Sequence, residues 1–364
     1  FLLGQGADRA AAEKLITYYQ DAAHVDEAWK SVSRFWDQHL GSVQVRTPDP
    51  AMDILLNRWL LYEALSCRIW GRTALYQSSG AFGFRDQLQD VLALLNTRPD
   101  LTRSQILNAA SRQFESGDVL HWWHPPSGRG IRTRISDNLL WLPYVTAQYV
   151  ETTGDLTILA ETIPFLSADP LQEGEDERYG EFAIGLQEGT LYEHCLRAIE
   201  KGCTSGIHGL PLMGTGDWND GMNRVGVDGK GESIWLGWFI FNTLTEFASI
   251  CEKMDDPAQA GTFRRRAESL QKALEISSWD GKWYRRAYFD DGTALGSAKR
   301  NECQIDSISQ SWAVISGAAN PEHARAAMEA VYERLVRPQD GVILLLDPPF
   351  NFTMRDPGYI KGYP

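Results

Sequence analysis

Residues 214–223, with the sequence GTGDWNDGMN, combine side chains suited to chemistry with glycines that keep the backbone irregular. The segment holds too many turn-forming residues to be the interior of a helix or a strand. Trp218 offers an apolar plate for the face of a pyranose ring, while Asp217 and Asp220 offer carboxyl groups for sugar hydroxyls and a glycosidic oxygen. This combination predicts a carbohydrate site.

Residues 80–90 (GAFGFRDQLQD) form a second candidate segment, at the start of a predicted helix. Its small residues let the backbone approach a ligand closely, and Arg85 and Asp86 follow in the first helical turn. Asp86 has two interpretations at this point. It either binds a sugar hydroxyl or stabilises the positive end of the helix dipole.

Residues 121–137 (HWWHPPSGRGIRTRISD) are interpreted as a loop with two tryptophans, two histidines and three arginines. Arg129, Arg132 and Arg134 are candidates for an anion clamp, since guanidinium groups bind phosphate through paired hydrogen bonds. The alternative is a solvated basic loop. His121 and His124 are three residues apart, but no carboxylate or cysteine lies near them in sequence, so no metal site is predicted.

Composition narrows the class of protein. The chain has 364 residues, of which 43 % are hydrophobic and 23 % charged, as in ordinary globular proteins. Its 35 Lys and Arg against 48 Asp and Glu give a net charge of −13, which argues against a nucleic-acid partner. No apolar run approaches the ~20 residues of a membrane span. Five scattered cysteines without metal-site spacing indicate a reducing compartment, and we expect a cytoplasmic protein.

Helical periodicity dominates the pattern along the chain and predicts an all-α fold. Strand-like runs are few, at 2–3, 283–289 and 342–346. The long aromatic-rich loops on alternate connections favour an α/α toroid, in which inner and outer helices alternate. A helical solenoid would show a repeat of ~34–47 residues, and none is present. The predicted helices cover 10–20, 26–40, 51–70, 85–96, 102–114, 137–152, 155–161, 190–201, 233–254, 257–276, 304–316 and 321–335.

The three candidate segments, together with nearly the whole chain, resemble the catalytic domain of glycoside hydrolase family 94. That family contains inverting phosphorylases of β-linked disaccharides such as cellobiose and chitobiose, and the phosphorylase-like domain of cyclic β-1,2-glucan synthases. The loops are more similar to the β-1,2-glucan branch. The resemblance implies that Asp220 is the general acid, that Trp218 lines the sugar site and that Asp86 binds hydroxyls of the nonreducing-end sugar. Arg85, Asp217 and Gln310 are further candidates for sugar binding.

The resemblance also implies a domain organisation. The family fold is an (α/α)6 barrel preceded by a β-sandwich and a helical linker. We therefore expect residues 1–8 to end a sandwich, 9–45 to form the linker and 46–364 to form a barrel that is truncated at its C-terminal side. The chain begins at Phe1 and stops in a loop at Pro364, so we expect it to be a piece of a larger protein. Fusion to a membrane-bound glycosyltransferase would place it at the cytoplasmic side of the inner membrane.

Two departures from the family pattern affect the anion site. Gly80 stands where cellobiose-type members carry an arginine. We therefore expect the anion contact of that arginine to come from Arg85 or from the arginines of residues 129–134. The phosphate-binding His and Thr of the family fall beyond Pro364. Inorganic phosphate and a β-linked glucose oligosaccharide are the expected co-substrates, with no cofactor and no metal.

The expected chemistry follows from charge. Phosphate is already an anion at neutral pH, so phosphorolysis requires only an acid for the leaving oxygen. Asp220 must then hold its proton, and burial against Trp218 and repulsion from Asp217 are expected to raise its pKa. Two alternatives stay open. One is an inverting hydrolase in which Asp86 or Asp306 faces Asp220, and the other is a non-catalytic glucan-binding domain.

Overall fold

Helices make up most of the computed structural model of the protein, which describes residues 1–71, 80–351 and 355–362. Each of the twelve predicted helical segments contains a helix, although 155–161 holds only the 3-10 helix Leu156–Ala160. Between Pro50 and Trp70 the chain alternates α-helical turns with the π-helical turns Leu55–Trp59 and Ala64–Trp70. The α-helices are α1 (Arg9–Tyr19), α2 (Ala22–Leu40), α3 (Pro50–Ile54), α4 (Leu60–Glu63), α5 (Phe84–Leu92), α6 (Pro99–Ala110), α7 (Trp141–Thr153), α8 (Leu191–Gly202), α9 (Ile234–Lys253), α10 (Pro257–Ser278), α11 (Ser307–Ile315) and α12 (Pro321–Arg334).

Inner and outer helices alternate along the chain, as the sequence predicts. Helix α5 packs against α7, α7 against α9 and α9 against α11, so these four form a continuous inner layer. Each is followed by an outer helix that packs back on it: α6, α8, α10 and α12 respectively. On its other side α5 meets the π-helical turn Ala64–Trp70. The described residues therefore form an arc of antiparallel helix pairs, which is the arrangement of an α/α barrel.

Helix α9 shows how local sequence specifies an inner helix. It is apolar on almost every side, and such a helix must be buried on almost every side. Ser233 caps it by accepting a hydrogen bond from the Leu236 backbone, and Asp256 with Pro257 begins the antiparallel α10 after a short turn. By length and composition alone α9 is the one helix of the described ranges that could cross a membrane, but 72 % of its apolar window is buried inside the protein.

The expectation of an all-α fold is too narrow, because the connections between helix pairs fold into small antiparallel sheets. Residues 121–124, predicted as loop, are strand, and 342–346 holds parts of two strands. Residues 2–3 form no strand, and the run 283–289 contains only two strand residues. The strands are β1 (Phe82–Gly83), β2 (Leu120–His124), β3 (Arg129–Thr133), β4 (Thr162–Ser167), β5 (Glu177–Gly180), β6 (Ala183–Thr190), β7 (Glu232–Ser233), β8 (Ala287–Tyr288), β9 (Ala294–Leu295), β10 (Ile305–Asp306), β11 (Val336–Arg337), β12 (Val342–Ile343) and β13 (Leu346–Asp347).

The largest sheet has the strand order β1-β2-β3-β5, and all its neighbours are antiparallel. The smaller sheets are β4-β6, β7-β8-β9, β10-β13 and β11-β12. Helices α5, α9 and α11 each begin directly after a short strand, β1, β7 and β10 respectively. The N-terminal ends of the inner helices therefore meet the sheets on one rim of the arc. The candidate residues lie on this rim.

The predicted domain boundaries stay predictions. Helices α1 and α2 fall inside the expected linker at 9–45, and the expected barrel begins with the helical turns after Pro50. The main hydrophobic core lies between the inner and outer helices, from Phe84 of α5 to Ala267 of α10.

Candidate active site

Asp220 lies at the start of a 3-10 turn, Asp220–Met222, that the Asn219 side chain caps through the Gly221 backbone. Its Oδ1 accepts a hydrogen bond from Arg85 Nη2 at 2.9 Å. Its Oδ2 faces His121 Nε2 at 3.7 Å, and the side chain keeps 30 % of its exposure. Asp220 is therefore a carboxyl group that is held in place on one oxygen and open to a ligand on the other.

Arg85 fixes that position from the first turn of α5. Its guanidinium is almost fully buried, and Nη1 donates to both oxygens of Asp137 at 3.1 and 3.2 Å and to the backbone carbonyl of Asp217 at 3.2 Å. Burial alone would lower the pKa of Arg85, but the carboxylates of Asp137 and Asp220 outweigh it and raise that pKa. The guanidinium stays charged and joins α5, the segment before α7 and the Asp220 loop. Its protein partners make it a positioning group for Asp220.

Asp217 does not face the site, contrary to our expectation that it binds sugar. The side chain is completely buried, and Arg286 holds both its oxygens at 2.6 Å while the Ser233 hydroxyl donates to one of them. Burial opposes ionisation, but Arg286 and Ser233 keep the pKa of Asp217 below its usual value. Asp217 also accepts a hydrogen bond from the Asn219 backbone at 3.0 Å. It therefore anchors the loop that presents Asp220.

Arg286 is shared with a second buried carboxylate, Asp306, whose Oδ2 lies 3.5 Å from Arg286 Nε. Because Asp306 is completely buried, desolvation raises its pKa to about 6 even though Arg286 opposes the shift. Asp306 also caps α11 by accepting from the Ile308 backbone at 3.0 Å. Arg286 therefore connects the Asp217 loop, which precedes β7, and the segment before β8 with Asp306 at the start of α11.

Gln310 is likewise structural rather than a ligand of the cavity. Its amide is buried and bonded to backbone groups on both sides: Tyr284 N donates to Oε1 at 2.8 Å, and Nε2 donates to the carbonyls of Tyr284 and Asp306 at 2.7 and 2.9 Å. The amide holds the segment before β8 against α11, so the predicted contact with sugar is wrong.

Trp218 and Asp86 remain available to a ligand. Trp218 is half-buried and packs against the main core, and Asp86 is half-buried at the start of α5. A Cβ atom at Gly83 would collide with the Asp86 carboxylate, so only glycine allows Asp86 to lie over β1. Gly216, with φ of 127°, similarly needs a backbone conformation that side chains rarely adopt. These glycines explain why the candidate segments are rich in small residues.

The three arginines of residues 129–134 do not form one anion clamp. On β3 successive side chains point to opposite faces of the sheet, so Arg129 faces outward while Arg132 faces the interior. Arg132 donates to Asp118, Ser116 and the carbonyls of Ala168 and Asp169, which occupies all its donor nitrogens. The prediction that Arg132 binds phosphate is therefore wrong.

The other two predicted phosphate ligands lie apart from each other. Arg134 is exposed and binds the carbonyls of Leu171, Gln172 and Glu175. Arg129 is exposed and lies over the Tyr179 ring at 5.7 Å. These two arginines keep an exposed guanidinium, but they serve different surfaces.

Sequence reasoning missed several groups that build the site. His121 was considered only as a metal ligand, yet it faces Asp220, and its Nδ1 lies 2.7 Å from Asn138 Nδ2. Asp137 was expected only as the start of the helix at 137–152, and Arg286 was not singled out. Contacts that span 52 to 135 residues leave no local signal. Among the described residues no cluster of His, Cys, Asp and Glu is arranged to hold a metal ion.

Residues 355–362 close over the Asp220 loop from one side. The Arg224 backbone donates to the Pro357 carbonyl at 3.2 Å, and Tyr359 N donates to Asn223 Oδ1 at 3.2 Å. A Cβ atom at Gly221 would lie only 3.0 Å from the Ile360 backbone, so the two segments pack tightly. A side chain at position 221 would therefore require the backbone at Ile360 to move by a few tenths of an ångström.

The chain is similar to several known proteins. It is 47 % identical, over its whole length, to the cyclic beta-(1,2)-glucan synthase NdvB of Rhizobium meliloti, of which it covers 13 %. It is 29 % identical over 98 % of its length to the N,N'-diacetylchitobiose phosphorylase of Vibrio furnissii, of which it covers 45 %. The chain thus spans less than half the length of either curated relative.

A solved structure, the cellobiose 2-epimerase of Spirochaeta thermophila, shares the fold. It superposes with a TM-score of 0.50 at 13 % identity over 88 % of this chain and 80 % of its own. The Glycosyl hydrolase 94 superfamily, catalytic domain, matches residues 35–364. The predicted resemblance is confirmed, and the chain belongs to the glycosyl hydrolase 94 superfamily.

Proposed function

We propose that this chain supplies the general acid of an inverting phosphorolysis site for β-linked gluco-oligosaccharides. One observation supports this most directly: of the two carboxylates in residues 214–223, Asp217 is enclosed by Arg286, while Asp220 reaches solvent. An acid that protonates a leaving oxygen must touch the substrate. Asp220 meets that requirement, and its Oδ2 accepts no hydrogen bond from the residues that the structure describes.

We assign the proton of the acid to Oδ2 of Asp220 and the glycosidic oxygen to the space in front of it. Trp218 would line the sugar, and Asp86 would bind hydroxyls of the nonreducing-end glucose. Phosphate would attack the anomeric carbon from the opposite face while Asp220 protonates the leaving oxygen. The bond to the leaving sugar breaks, a bond to phosphate forms, and a β-linkage yields α-glucose 1-phosphate. Phosphate serves as substrate, and the proposal needs no cofactor.

The burial of Asp306 weakens the hydrolase alternative. An inverting hydrolase needs a second carboxylate that activates water across the sugar. Asp306 is completely buried between Arg286 and the start of α11, so it cannot reach that water. Asp86 is then the remaining candidate base. Dependence of the reaction on phosphate separates the two mechanisms.

We propose β-1,2-linked glucan as the substrate class, because the relative that is 47 % identical is named a cyclic beta-(1,2)-glucan synthase. That relative is a far longer protein, of which this chain covers 13 %. We therefore also propose that the chain works inside a larger synthase, alongside a glycosyltransferase unit, on the cytoplasmic side of the membrane.

The test of the proposed function is Asp220→Asn in the full-length protein. Loss of the general acid should lower kcat by about 10²–10⁴-fold while glucan binding is retained. Release of glucose 1-phosphate from β-1,2-gluco-oligosaccharides, with and without phosphate, gives the rate. Near-normal turnover in Asp220→Asn would refute the acid assignment, and glucose release without phosphate would favour the hydrolase. Asp86→Asn should raise KM for the glucan, which separates a binding role from the acid.

A further inference from the structure

A row of side chains crosses the exposed face of the β1-β2-β3-β5 sheet. Trp122, Ile131 and Tyr179 are direct neighbours in the strand register, so their side chains stand on one face. The rings of Trp122 and Tyr179 lie 5.7 Å apart at 42°. Tyr179 keeps 52 % of its exposure, and Trp122 and Ile131 are half-buried.

The side chains on this face are not part of the main hydrophobic core. The opposite face of the same sheet carries the buried Trp123 and Arg132, with the Phe82 ring 6.0 Å from that of Trp123. Aromatic side chains that are left on a solvent-exposed face, while the other face is packed, commonly mark a site of interaction. The row of Trp122, Ile131 and Tyr179 is therefore a candidate binding platform.

Two polar side chains, His124 and Arg129, border the platform. His124 pairs with Arg129 across β2 and β3, and the Arg129 guanidinium lies 5.7 Å from the centre of the Tyr179 ring. The His124 ring is 5.1 Å from that of Trp122. Flat aromatic surface beside guanidinium and imidazole nitrogens suits a sugar, which has an apolar C–H face and a hydroxyl edge.

The platform is continuous with the candidate active site. Gly83 is the partner of Trp122 on β1, and the Asp86 carboxylate occupies the space where a Gly83 side chain would stand, on the face that carries Trp122. A bulge between Leu120 and Trp122 interrupts the alternation of β2 and lets His121 turn toward Asp220. The surface therefore starts beside Asp86 and Asp220.

The platform is longer than one pyranose ring. From β2 to β5 the sheet extends over two strand spacings, about 10 Å in total at ~4.8 Å each. A chain whose terminal glucose is bound at Asp86 and whose scissile bond faces Asp220 would have its next units over Trp122 and Tyr179.

We propose that the face formed by Trp122, Ile131 and Tyr179, bordered by His124 and Arg129, binds the glucose units on the leaving-group side of the scissile bond. The inference rests on the proposed function, because it takes its direction from Asp86 and Asp220. It adds a specificity: the site prefers glucan chains longer than a disaccharide, and Arg129 serves sugar hydroxyls rather than phosphate.

The test measures how kcat/KM depends on chain length in the full-length protein. Linear β-1,2-gluco-oligosaccharides of two to six units are compared in wild type, Tyr179→Ala and Trp122→Ala. We expect the ratio of kcat/KM for the longest substrate to that for the shortest to fall by about threefold to tenfold in each variant, the effect of losing one aromatic contact. Tyr179→Phe should restore the ratio, since it keeps the ring.

Tyr332→Ala is the matched control, because Tyr332 of α12 is 68 % exposed and stands outside the platform. It should leave the length dependence unchanged. An unchanged ratio in both Tyr179→Ala and Trp122→Ala would overturn the proposal. So would a change from dimer to monomer in these variants by light scattering, because the face would then be an interface between copies of the chain.

A binding experiment separates this inference from the proposed function. In the Asp220→Asn background, tryptophan fluorescence titrations measure affinity for the same oligosaccharides without turnover. Tighter binding of longer chains that Tyr179→Ala abolishes supports the platform even if no phosphorolysis is found in wild type. Affinity that is independent of chain length overturns it even if phosphorolysis is found.

Discussion

Asp217 and Asp220 are three residues apart in one loop, and each carboxylate has an arginine partner. Arg286 encloses Asp217 on both oxygens, whereas Arg85 holds Asp220 on one oxygen and leaves the other open. The first pair costs desolvation on both sides and repays it through paired hydrogen bonds. It orders the loop through the Asn219 backbone and so determines where Asp220 stands. The same residue type thus serves as a buried anchor at one position and as the proposed general acid at the other.

Arg132 and Arg134 provide a second contrast at the residue scale. We expect Arg132→Ala to lower the free energy of unfolding by about 3–5 kcal/mol, because it leaves the half-buried Asp118 carboxylate without its cation. Arg134→Ala also removes one positive charge, but from an exposed position just after β3. It should lower the free energy of unfolding by less than about 1 kcal/mol. Urea denaturation of both variants measures the difference. Equal effects would show that the burial of Arg132 does not govern stability.

At the scale of elements, buried ion pairs join the helix starts to the loops. Arg85 connects α5 with Asp137, just before α7, and with the Asp220 loop. Arg286, next to β8, connects that loop with Asp306 at the start of α11. Because the inner helices begin on the same rim of the arc, their first turns converge on the guanidinium groups of Arg85 and Arg286. Short strands adjoin both groups, because α5 with Arg85 begins directly after β1 and Arg286 directly precedes β8.

The element-scale prediction concerns Asp306 and pH. Its pKa rises from 3.8 to about 6 on folding, so between those values the folded protein binds more protons than the unfolded chain. Stability from this group is present below about pH 4 and is lost as the pH rises through about 6. Relative to Asp306→Asn, the wild-type free energy of unfolding should fall by roughly 2–2.5 kcal/mol from about pH 4 to pH 7.

Asparagine keeps the cap of α11, so the comparison isolates the charge. Asp256→Asn, at the cap of α10, is the matched control for the loss of a capping carboxylate. Urea denaturation across the pH range gives both differences. A wild-type curve parallel to that of Asp306→Asn would contradict the prediction.

At the scale of the whole molecule, apolar side chains are exposed at both ends of the helical arc. Trp29 of α2 is 74 % exposed, and Ile315 of α11 is 59 % exposed. Neighbouring apolar residues on α3, the turn Leu55–Trp59 and α12 are exposed as well. The other inner helices, α5, α7 and α9, are covered by a helix on each side. Exposed apolar area of this kind favours association with other chains.

We therefore expect a polypeptide of residues 1–364, expressed by itself, to self-associate. Light scattering after size exclusion should show a mass that rises with concentration. Trp29→Ser combined with Ile315→Ser should shift the distribution toward the monomer, because it removes apolar surface at both ends of the arc. Ile207→Ser is the control, since Ile207 is highly exposed in a loop between α8 and β7. A monodisperse wild-type monomer at all concentrations would contradict this expectation.

The sequence by itself determined the helices, the candidate loops and the family. Helices are encoded locally by apolar periodicity and caps such as Ser233, and a glycine-rich segment with Trp218 and Asp220 is visible without any long-range contact. The short strands were mostly missed, because two to eight residues with a partner far along the chain carry little local signal.

Only the tertiary structure decided which polar residues are anchors and which can meet a substrate. Asp217, Gln310 and Arg132 were expected at the site and are engaged elsewhere, while His121 and Arg286 were not expected and help to build it. The decisive contacts join residues 69 and 135 positions apart, such as Asp217 with Arg286 and Arg85 with Asp220. Burial and ion pairing depend on which elements meet in three dimensions, and no local pattern of residue types contains that information.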